Sequence, residues 1–391
     1  MKEGWTYKKL GEVASFARGL TYSKNDEVEH SNNIVLRSNN IDLIAGKLDF
    51  SELKYLKEDF VIPDDKRLRK GSLFICMSNG SKAHLGKVAY VDKDYSYAFG
   101  GFMGQISPNN EINGLYLHYA LSSPFYKEYI KSLSEGANIN NLKFKDLSEF
   151  PIKYPPLSEQ QSIVDYLDSA FAKIDAMKAN TEKALNEAKA LFQASLKEML
   201  EPKEGWEEKK LGEICTFSQG VQVPLQNQSL KESAGYTRFL RIIDFTQGSE
   251  PPRYVPINDA KYWMNHEDIA IVRYGASTGF ICTGLEGTLA NNLFRLNIKC
   301  DVSPHYLIYV LKSEIFQSVI KVQMNGAAMP AISFGLIEGI KMPIPSHSEQ
   351  QSIVTTLDSL KSKVDRLQEN YNKISQECDA LKQAILRQVF E

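Results

Sequence analysis

Two short stretches of sequence occur twice in the chain and decide how it is organised. Residues 2–13 read KEGWTYKKLGEV and residues 203–214 read KEGWEEKKLGEI, which are identical at nine of twelve positions. Residues 158–169 read SEQQSIVDYLDS and residues 348–359 read SEQQSIVTTLDS, which are identical at ten of twelve positions. Their separation exceeds the period of roughly 20 to 50 residues that is typical of solenoid repeats. We therefore predict a tandem duplication, in which a mixed segment is followed each time by a segment of a different character.

The segments that follow the second repeated stretch are predicted to be long helices. Ser158 and Ser348 are expected to cap them, with Gln161 and Gln351 completing a capping box. Apolar residues then recur at alternating steps of four and three, which favours a helix pair over an ordinary amphipathic helix on a core. The residues expected to pair the helices are Ile163, Leu167, Ile174, Leu191, Ile353, Leu357, Val364, Leu367, Ile374 and Leu381.

The order of the segments constrains their arrangement. The second helix can bury its apolar seam only by running back along the first, so we predict an antiparallel coiled coil that separates two similar domains related by a pseudo-twofold axis. The mixed segments carry short apolar runs broken by Gly, Asn and Pro, with helices near 115–133 and 306–321, and the predicted fold class is α+β. Strands are expected at 34–36, 73–77, 88–91, 239–243, 269–272 and 280–282. The predicted boundaries are 1–157 and 201–347 for the domains and 158–200 and 348–391 for the helices.

The composition of the chain limits the classes of function that it can have. The chain has 391 residues, of which 43% are hydrophobic and 24% charged, so it is not a disordered chain. It has no apolar window that could span a membrane and a polar start, and we expect it to be cytoplasmic with no membrane association. Five cysteines without a CxxC pair argue against a disulfide framework and against a zinc site. The net charge of −2 predicts weak binding of nucleic acid by this chain alone.

Catalytic signatures are missing from the sequence. It contains no GxGxxG or GxxxxGK[ST] phosphate loop, no HExxH, no GxSxG and no Asp/Asn-Pro-Pro-Tyr/Phe segment. The six histidines occur singly. We therefore predict a chain that has no catalytic residue, no metal and no cofactor of its own.

Polar residues suited to base edges and phosphates recur in both mixed segments. Arg, Asn and Gln offer the bidentate geometry that distinguishes guanine or adenine, and glycine permits tight turns. Taken singly, each loop could equally be an ordinary polar surface loop. Loops that differ at matching places in the two copies are what two readers of different sequences would show. The candidates in the first copy are Arg18, Tyr22, Lys24, Asn25, Arg37, Asn39, Asn40, Asn79, Ser81, Lys82, Asn138, Asn140 and Lys143, and those in the second are Gln219, Gln222, Gln226, Asn227, Arg238, Arg241, Arg273, Tyr274, Ser277 and Thr278.

The repeated motifs resemble a known family. PPLSEQQSI at 155–163 opens a long helix, and Trp5 with KLGE at 9–12 opens a mixed domain; Trp206, LGE at 211–213 and SEQQSI at 348–353 repeat this order. The combination resembles the DNA specificity subunit of type I restriction-modification systems, over essentially the whole chain. The resemblance implies that each mixed segment is a target recognition domain reading one half of a split site in double-stranded DNA, that the helices set the gap, and that the subunit has no active site.

The resemblance also implies partners. Two modification subunits would bind S-adenosylmethionine and methylate adenines, with the target base flipped into their pocket, and restriction and translocase subunits would join for cleavage. S-adenosylmethionine, ATP and Mg are expected on those subunits and not on this chain. Two alternatives remain open. A non-catalytic coiled-coil scaffold whose end domains bind proteins or glycans would need no methyltransferase partner, and an unusual enzyme would act alone.

Overall fold

The computed structural model describes residues 4–42, 46–81, 84–135, 141–257, 259–324 and 331–391. The chain divides into two compact units. The first consists of Met1–Thr181 with Tyr371–Glu391, and the second of Glu182–Asn370.

The first unit contains ten strands and four short helices among its described residues. The strands are β1 (Thr6–Lys9), β2 (Ala14–Arg18), β3 (Glu27–Val28), β4 (Asn33–Leu36), β5 (Lys54–Leu56), β6 (Leu73–Cys76), β7 (Val88–Tyr90), β8 (Ala98–Phe99), β9 (Met103–Pro108) and β10 (Pro151–Tyr154). The short helices are α1 (Leu10–Val13), α2 (Gly114–Ala120), α3 (Pro124–Glu135) and α4 (Phe144–Ser148). The long helix α5 (Leu157–Leu200) begins in this unit and ends in the second.

The second unit contains ten strands and five short helices among its described residues. Its strands are β11 (Glu207–Lys210), β12 (Cys215–Gln219), β13 (Tyr236–Leu240), β14 (Arg253–Pro256), β15 (Trp263–Met264), β16 (Ile269–Val272), β17 (Ile281–Cys282), β18 (Gly287–Leu289), β19 (Leu293–Ile298) and β20 (Lys341–Ile344). The short helices are α6 (Leu211–Ile214), α7 (Ile242–Thr246), α8 (Pro304–Lys312), α9 (Glu314–Met324) and α10 (Phe334–Glu338). The second long helix is α11 (His347–Phe390), which ends in the first unit.

Each unit contains the same three kinds of sheet. In the first, β1 pairs with β10, and two four-stranded sheets have the orders β2-β9-β6-β7 and β3-β5-β4-β8. In the second, β11 pairs with β20, and the orders are β12-β19-β16-β17 and β14-β13-β18-β15. The pairs β4–β8 and β13–β18 are parallel at matching places in the two units. Mixed helix and sheet content in two sets confirms the predicted α+β class.

The strand β6 shows how each unit is layered. All four of its side chains are buried, as its unbroken apolar sequence predicts. Because side chains alternate across a strand, Leu73 and Ile75 face the core beneath α2 and α3, while Phe74 and Cys76 face the core beside the second sheet. In the second unit, β16 separates two cores in the same way. The main sheet therefore lies between helices on one face and a second sheet on the other.

Three sequence-based expectations about short elements need correction. The single helix expected near 115–133 is two helices, because the chain turns at Ser123 and resumes at Pro124. The helix expected near 306–321 is likewise broken at Ser313. The strand expected at 239–243 ends at Leu240, and the two residues that follow Arg241 belong to α7.

The predicted helix caps, Ser158 and Ser348, each lie two residues after the observed ones. In α11 the cap is Ser346, whose backbone N–H donates to Glu349 Oε2 at 3.1 Å while Glu349 N–H donates to Ser346 Oγ at 3.4 Å. In α5 the equivalent position is Pro156, whose carbonyl accepts from Gln160 N at 3.0 Å. Ser158 therefore lies inside the first turn and not at its cap.

Within the first unit, the beginning of α5 and the end of α11 run antiparallel. Lys382 Nζ lies 2.5 Å from Asp175 Oδ1, and Cys378 Sγ–H donates to the Ile174 carbonyl at 3.9 Å. Nearer the start of α5, Leu167 packs in one core with Leu386. Residue numbers that rise along one helix and fall along the other define the antiparallel direction.

Within the second unit, the end of α5 and the beginning of α11 also run antiparallel. Leu196 packs in one core with Leu357, and Lys189 Nζ donates to Gln368 Oε1 at 2.6 Å. Of the residues expected to pair the helices, Leu167, Ile174, Ile353 and Leu357 are buried, while Ile163, Val364, Leu367 and Ile374 are partly buried.

The predicted seam is wrong at Leu191 and Leu381, whose side chains are 61% and 46% exposed. Near Leu191 the side chains that face the core are instead those of Leu185, which is buried, and of Phe192, which is partly buried. They are seven residues apart and continue the face on which Leu167 and Ile174 are buried. Phe192 thus takes the place predicted for Leu191, one residue earlier.

Two further findings concern the described residues as a whole. No helix among them is both long enough and apolar enough to span a membrane. No group of three or more His, Cys, Asp or Glu side chains among them could hold a metal ion.

Candidate nucleic-acid interface

The loops at one edge of the first unit are tied together through their backbones. The turn between β8 and β9 is the hub: Leu20 N–H donates to Phe99 O at 2.6 Å, Gly100 N–H donates to Leu36 O at 2.9 Å, and Ser78 N–H donates to Phe102 O at 3.0 Å. We call these loops the first loop cluster, and it comprises residues 18–20, 37–40, 77–79, 100–102 and 141–143.

Glycine is required where the first of these loops meets the hub. A Cβ atom on Gly19 would lie 2.0 Å from the Gly100 carbonyl oxygen, which no side chain can tolerate. In the second unit, a Cβ on Gly220 would lie 2.2 Å from the Ala290 carbonyl oxygen. The sequence motifs RG at 18–19 and QG at 219–220 therefore mark the same close backbone approach.

The second unit forms an equivalent second loop cluster around the turn between β18 and β19. Val221 N–H donates to Leu289 O at 2.8 Å, Ala290 N–H donates to Leu240 O at 2.9 Å, and Arg273 N–H donates to Asn292 O at 2.8 Å. The second loop cluster comprises residues 219–222, 241–244, 273–274, 290–292 and 331–332. The two clusters share one backbone frame and carry different side chains.

The 37–40 loop of the first cluster combines structural and exposed residues. Arg37 Nη2 lies 3.2 Å from Glu52 Oε1, and Asn39 Nδ2 donates to Glu52 Oε2 at 3.0 Å. Asn40 is only 1% exposed: its Oδ1 accepts from Arg37 N and its Nδ2 donates to the carbonyls of Asp49 and Glu52, each at 2.8 Å. Asn40 thus shapes the loop and cannot reach a base, which corrects its place among the candidates.

Arg241 occupies the matching position in the second cluster and is held more tightly than Arg37. Its guanidinium donates to both carboxylate oxygens of Asp244, at 3.1 and 3.2 Å, and to Glu250 at 2.7 Å. Its Nη2 also donates to the Pro251 carbonyl at 3.1 Å. Arg238 Nη2 lies 3.9 Å from the same aspartate, which is almost fully buried. Arg241 is therefore neutralised by carboxylates of its own unit, and Arg238 lies near one of them.

Several cationic and amide candidates of the first unit are exposed and lack partners among the described residues. Arg18 ends β2, Lys24 and Asn25 lie in a short 3₁₀ turn, and Lys143 precedes α4. No hydrogen bond or ion pair of these four side chains occurs within the described part of the chain. Tyr22 is half-buried beneath this turn, and burial raises the pKa of its phenol. The four exposed side chains are free to bind a ligand.

Asn79 and Ser81 connect two loops of the first unit. Asn79 Nδ2 donates to Ser38 Oγ at 2.9 Å, and its Oδ1 accepts from Ser81 N at 2.8 Å. Lys82, Asn138 and Asn140 lie outside the described residues.

In the second unit, an amide takes the place of Arg18, and further amides lie in the short turn that matches the turn of Lys24. Gln222, Gln226 and Asn227 are exposed around a depression of about 470 Å³ that Tyr236 and Pro256 also line. Gln219, at the position matching Arg18, donates through Nε2 to the Asn291 carbonyl at 3.0 Å. This surface presents amide donors and acceptors of the kind that pair with adenine edges.

The remaining candidates of the second unit divide into exposed and buried residues. The Arg273 guanidinium lies over the rings of Tyr274, at 4.7 Å, and Phe294, at 5.3 Å, with no carboxylate partner among the described residues. Ser277 is partly exposed. Thr278 is 7% exposed and its Oγ1 donates to the Gly275 carbonyl at 2.7 Å, so it is a turn residue and not a base-contacting one.

The hub turns were missed by the sequence reasoning. Phe102 is 73% exposed at the tip of the first hub, while Asn291 and Asn292 occupy the second. The signal was present as FGGF at 99–102, where a glycine pair between two apolar runs indicates a tight turn. The sequence does not indicate that Glu52 holds the 37–40 loop, because its partner Arg37 lies fifteen residues away.

The fold and its loop clusters define a protein in which one backbone arrangement of loops occurs twice, once in each unit. The family model of the type I restriction modification DNA specificity domain matches residues 2–187 and residues 203–376. The chain belongs to this family, which confirms the resemblance carried by its repeated motifs.

Curated relatives and solved structures agree with this membership. The type I restriction enzyme StySPI specificity subunit of Salmonella potsdam and the EcoKI specificity subunit of Escherichia coli K12 are each 26% identical over 421 residues, covering 100% of this chain and 89% of theirs. A solved chain described under complex assembly and conformational transition of the type I R-M system has a TM-score of 0.79 at 20% identity, covering 100% of this chain and 98% of that one. The HsdS subunit from Thermoanaerobacter tengcongensis gives 0.59 at 21%, covering 100% and 97%. These structures show a shared fold, and the alternative of a scaffold for proteins or glycans finds no support among the relatives.

Proposed function

We propose that this chain is the DNA specificity subunit of a type I restriction-modification complex, in which each loop cluster contacts one half of a bipartite site in double-stranded DNA. The observation that carries the proposal is the repeated backbone frame with unlike side chains. Two copies of one frame present equivalent surfaces to two half-sites, and different side chains select different bases.

Within this proposal exposed side chains of the two units supply different recognition chemistry. Arg18, Lys24 and Lys143 of the first unit supply cations for guanine edges and phosphates. Gln222 and Gln226 of the second unit supply amides, which pair in two directions with adenine. Arg37 and Arg241 instead stabilise their loops, because their guanidinium groups are already bound by carboxylates.

The chain acts as a non-catalytic subunit in this proposal. Names of the curated relatives describe specificity subunits of restriction enzymes, and we extend this to partners that supply the chemistry: two adenine methyltransferase subunits and restriction–translocase subunits. We also propose 1–157 and 201–347 as the recognition domains, with 158–200 and 348–391 as the helical segments between them.

The proposal is tested by mapping modified adenines in cells that express the chain with the methyltransferase subunit of its own system. We expect methylation at a motif with two unlike specific halves separated by unspecified bases, and no methylation when the chain is omitted. Methylation that persists without the chain, or that falls on one continuous motif, would contradict the proposal.

A further inference from the structure

Phe102 is a large apolar side chain that the fold keeps at the surface. Its ring is 73% exposed, although Phe99 and Met103, which flank the same turn, are almost completely buried. A core therefore lies directly next to the turn, but the turn directs the Phe102 ring toward solvent.

The backbone beneath the ring is held by several hydrogen bonds. The Phe102 carbonyl accepts from both Met77 N, at 2.9 Å, and Ser78 N, at 3.0 Å. Met103 N–H donates to the Gly100 carbonyl at 2.8 Å, which closes the turn. A ring on such a turn loses little conformational freedom when it inserts into a ligand.

The surroundings of the ring favour a polyanion over an apolar partner. The segments of the first loop cluster that meet at the hub contain Arg18, Asn79, Asn141 and Lys143, and residues 18–20, 77–79, 100–102 and 141–143 include no carboxylate. Cationic and amide groups around one apolar ring match the chemistry of a duplex, whose phosphates flank a stack of bases.

The second loop cluster has no ring at the equivalent position. Asn292 takes the place of Phe102, since its carbonyl accepts from Arg273 N as that of Phe102 accepts from Met77 N. The Asn292 side chain is partly buried, with its Oδ1 atom enclosed. The two hubs therefore share a backbone and differ in whether an aromatic side chain projects from it.

We propose that the Phe102 ring inserts between neighbouring base pairs of the half-site contacted by the first loop cluster, and that the other half-site is bound without such insertion. The inference rests on the proposed function and adds to it a difference in how the two halves are read. An inserted apolar side chain unstacks a base step and makes recognition depend on how easily that step deforms.

The test uses the complex of the full chain with its methyltransferase subunits and duplexes containing 2-aminopurine at successive positions of both half-sites. Base flipping should raise the fluorescence at the target adenines of both half-sites, and insertion should raise it at one further step of one half-site only. Phe102→Ala and Phe102→Asn should abolish this further rise and weaken binding about tenfold. Phe102→Trp should keep the further rise and the wild-type affinity. Tyr7→Ala, which removes a 58% exposed ring from the β1–β10 sheet, is the matched control and should change neither.

Each other outcome overturns the inference in a distinguishable way. A wild-type complex that binds no bipartite site would contradict the proposed function itself. Specific binding of Phe102→Ala with unchanged affinity and fluorescence would refute the proposed insertion and leave the proposed function intact. A Phe102→Ala complex that fails to assemble, seen as a lower mass in light scattering, would assign the ring to a protein interface.

Discussion

Arg241 and Asp244 form a two-pronged ion pair in which Nε and Nη2 of the arginine contact the two carboxylate oxygens at 3.1 and 3.2 Å. The aspartate also accepts the backbone N–H of Arg241 at 2.8 Å, and it is almost fully buried. In the first unit a neutral amide, Asn40, accepts the equivalent N–H of Arg37. One loop frame is thus held by a charged pair in one unit and by an amide in the other.

Asp244→Ala should destabilise the second unit by about 3 kcal/mol, because it leaves the partly buried Arg241 guanidinium without its main partner. Asp244→Asn reproduces the amide of the first unit and should cost clearly less. Glu52→Ala, which removes an exposed carboxylate, should cost less than about 1 kcal/mol. Urea unfolding of the three variants measures these differences. Equal losses of unfolding free energy for Asp244→Ala and Glu52→Ala would show that the buried ion pair contributes no more to stability than the exposed one.

The buried amide of Gln160 connects α5 to the domain that precedes it. Its Oε1 accepts from Asn113 N at 2.7 Å, and its Nε2 donates to the carbonyls of Pro155 and Glu111. Gln160→Leu would leave these groups without partners, at a cost of about 2 kcal/mol, and should lower the melting temperature by about 5 °C. The adjacent Gln161 is exposed, and Gln161→Leu should have a much smaller effect on the melting curve. A Gln160→Leu chain that melts like the wild type would refute this role.

His118 should make the first unit sensitive to acid. It is buried, its Nδ1 has no hydrogen-bond partner among the described residues, and burial lowers its pKa to about 4. An unfolded histidine titrates near pH 6.5, so the unfolded chain binds the proton first. The stabilisation is complete above about pH 6.5 and is lost as the pH falls toward about 4, with a loss of about 2 kcal/mol between pH 7.5 and 5.

The second copy of the repeat supplies the matched variant for this prediction. Ile308 stands where the first copy has His118, so His118→Ile should remove that part of the pH dependence. The free energy of unfolding at pH 7.5 and at pH 5, from urea titrations of both chains, gives the comparison. Equal slopes for the two chains would show that His118 is not the titrating group.

Much of the fold follows from the sequence because the repeats and the capped helices are local signals. The unbroken apolar run of β6 predicts a strand buried on both faces, and the structure has one. The seam of α5 was misjudged at Leu191 because Leu191 and Phe192 are adjacent apolar residues, and the local pattern does not show which of the two faces the core. Packing over the full helix decides between them.

The candidate site was only partly predictable. Polar loops after strands are visible in the sequence, but whether a side chain is free depends on partners distant in the chain. Arg37 is bound by Glu52, and Asn40 is buried by backbone groups that no motif identifies. An apolar residue such as Phe102 is expected in a core from sequence alone, and only the fold shows that its turn directs the ring outward.

The most direct test of the account is a methylation map of two variant pairs, expressed with the methyltransferase subunit. Arg18→Ala with Lys24→Ala alters the first unit, and Gln222→Ala with Gln226→Ala alters the second; all four side chains are exposed, so the fold should be preserved. We predict that the first pair relaxes or changes one half of the methylated motif and that the second pair changes only the other half. Motifs that stay identical in both variants, or that change in both halves together, would contradict two independent loop clusters reading two half-sites.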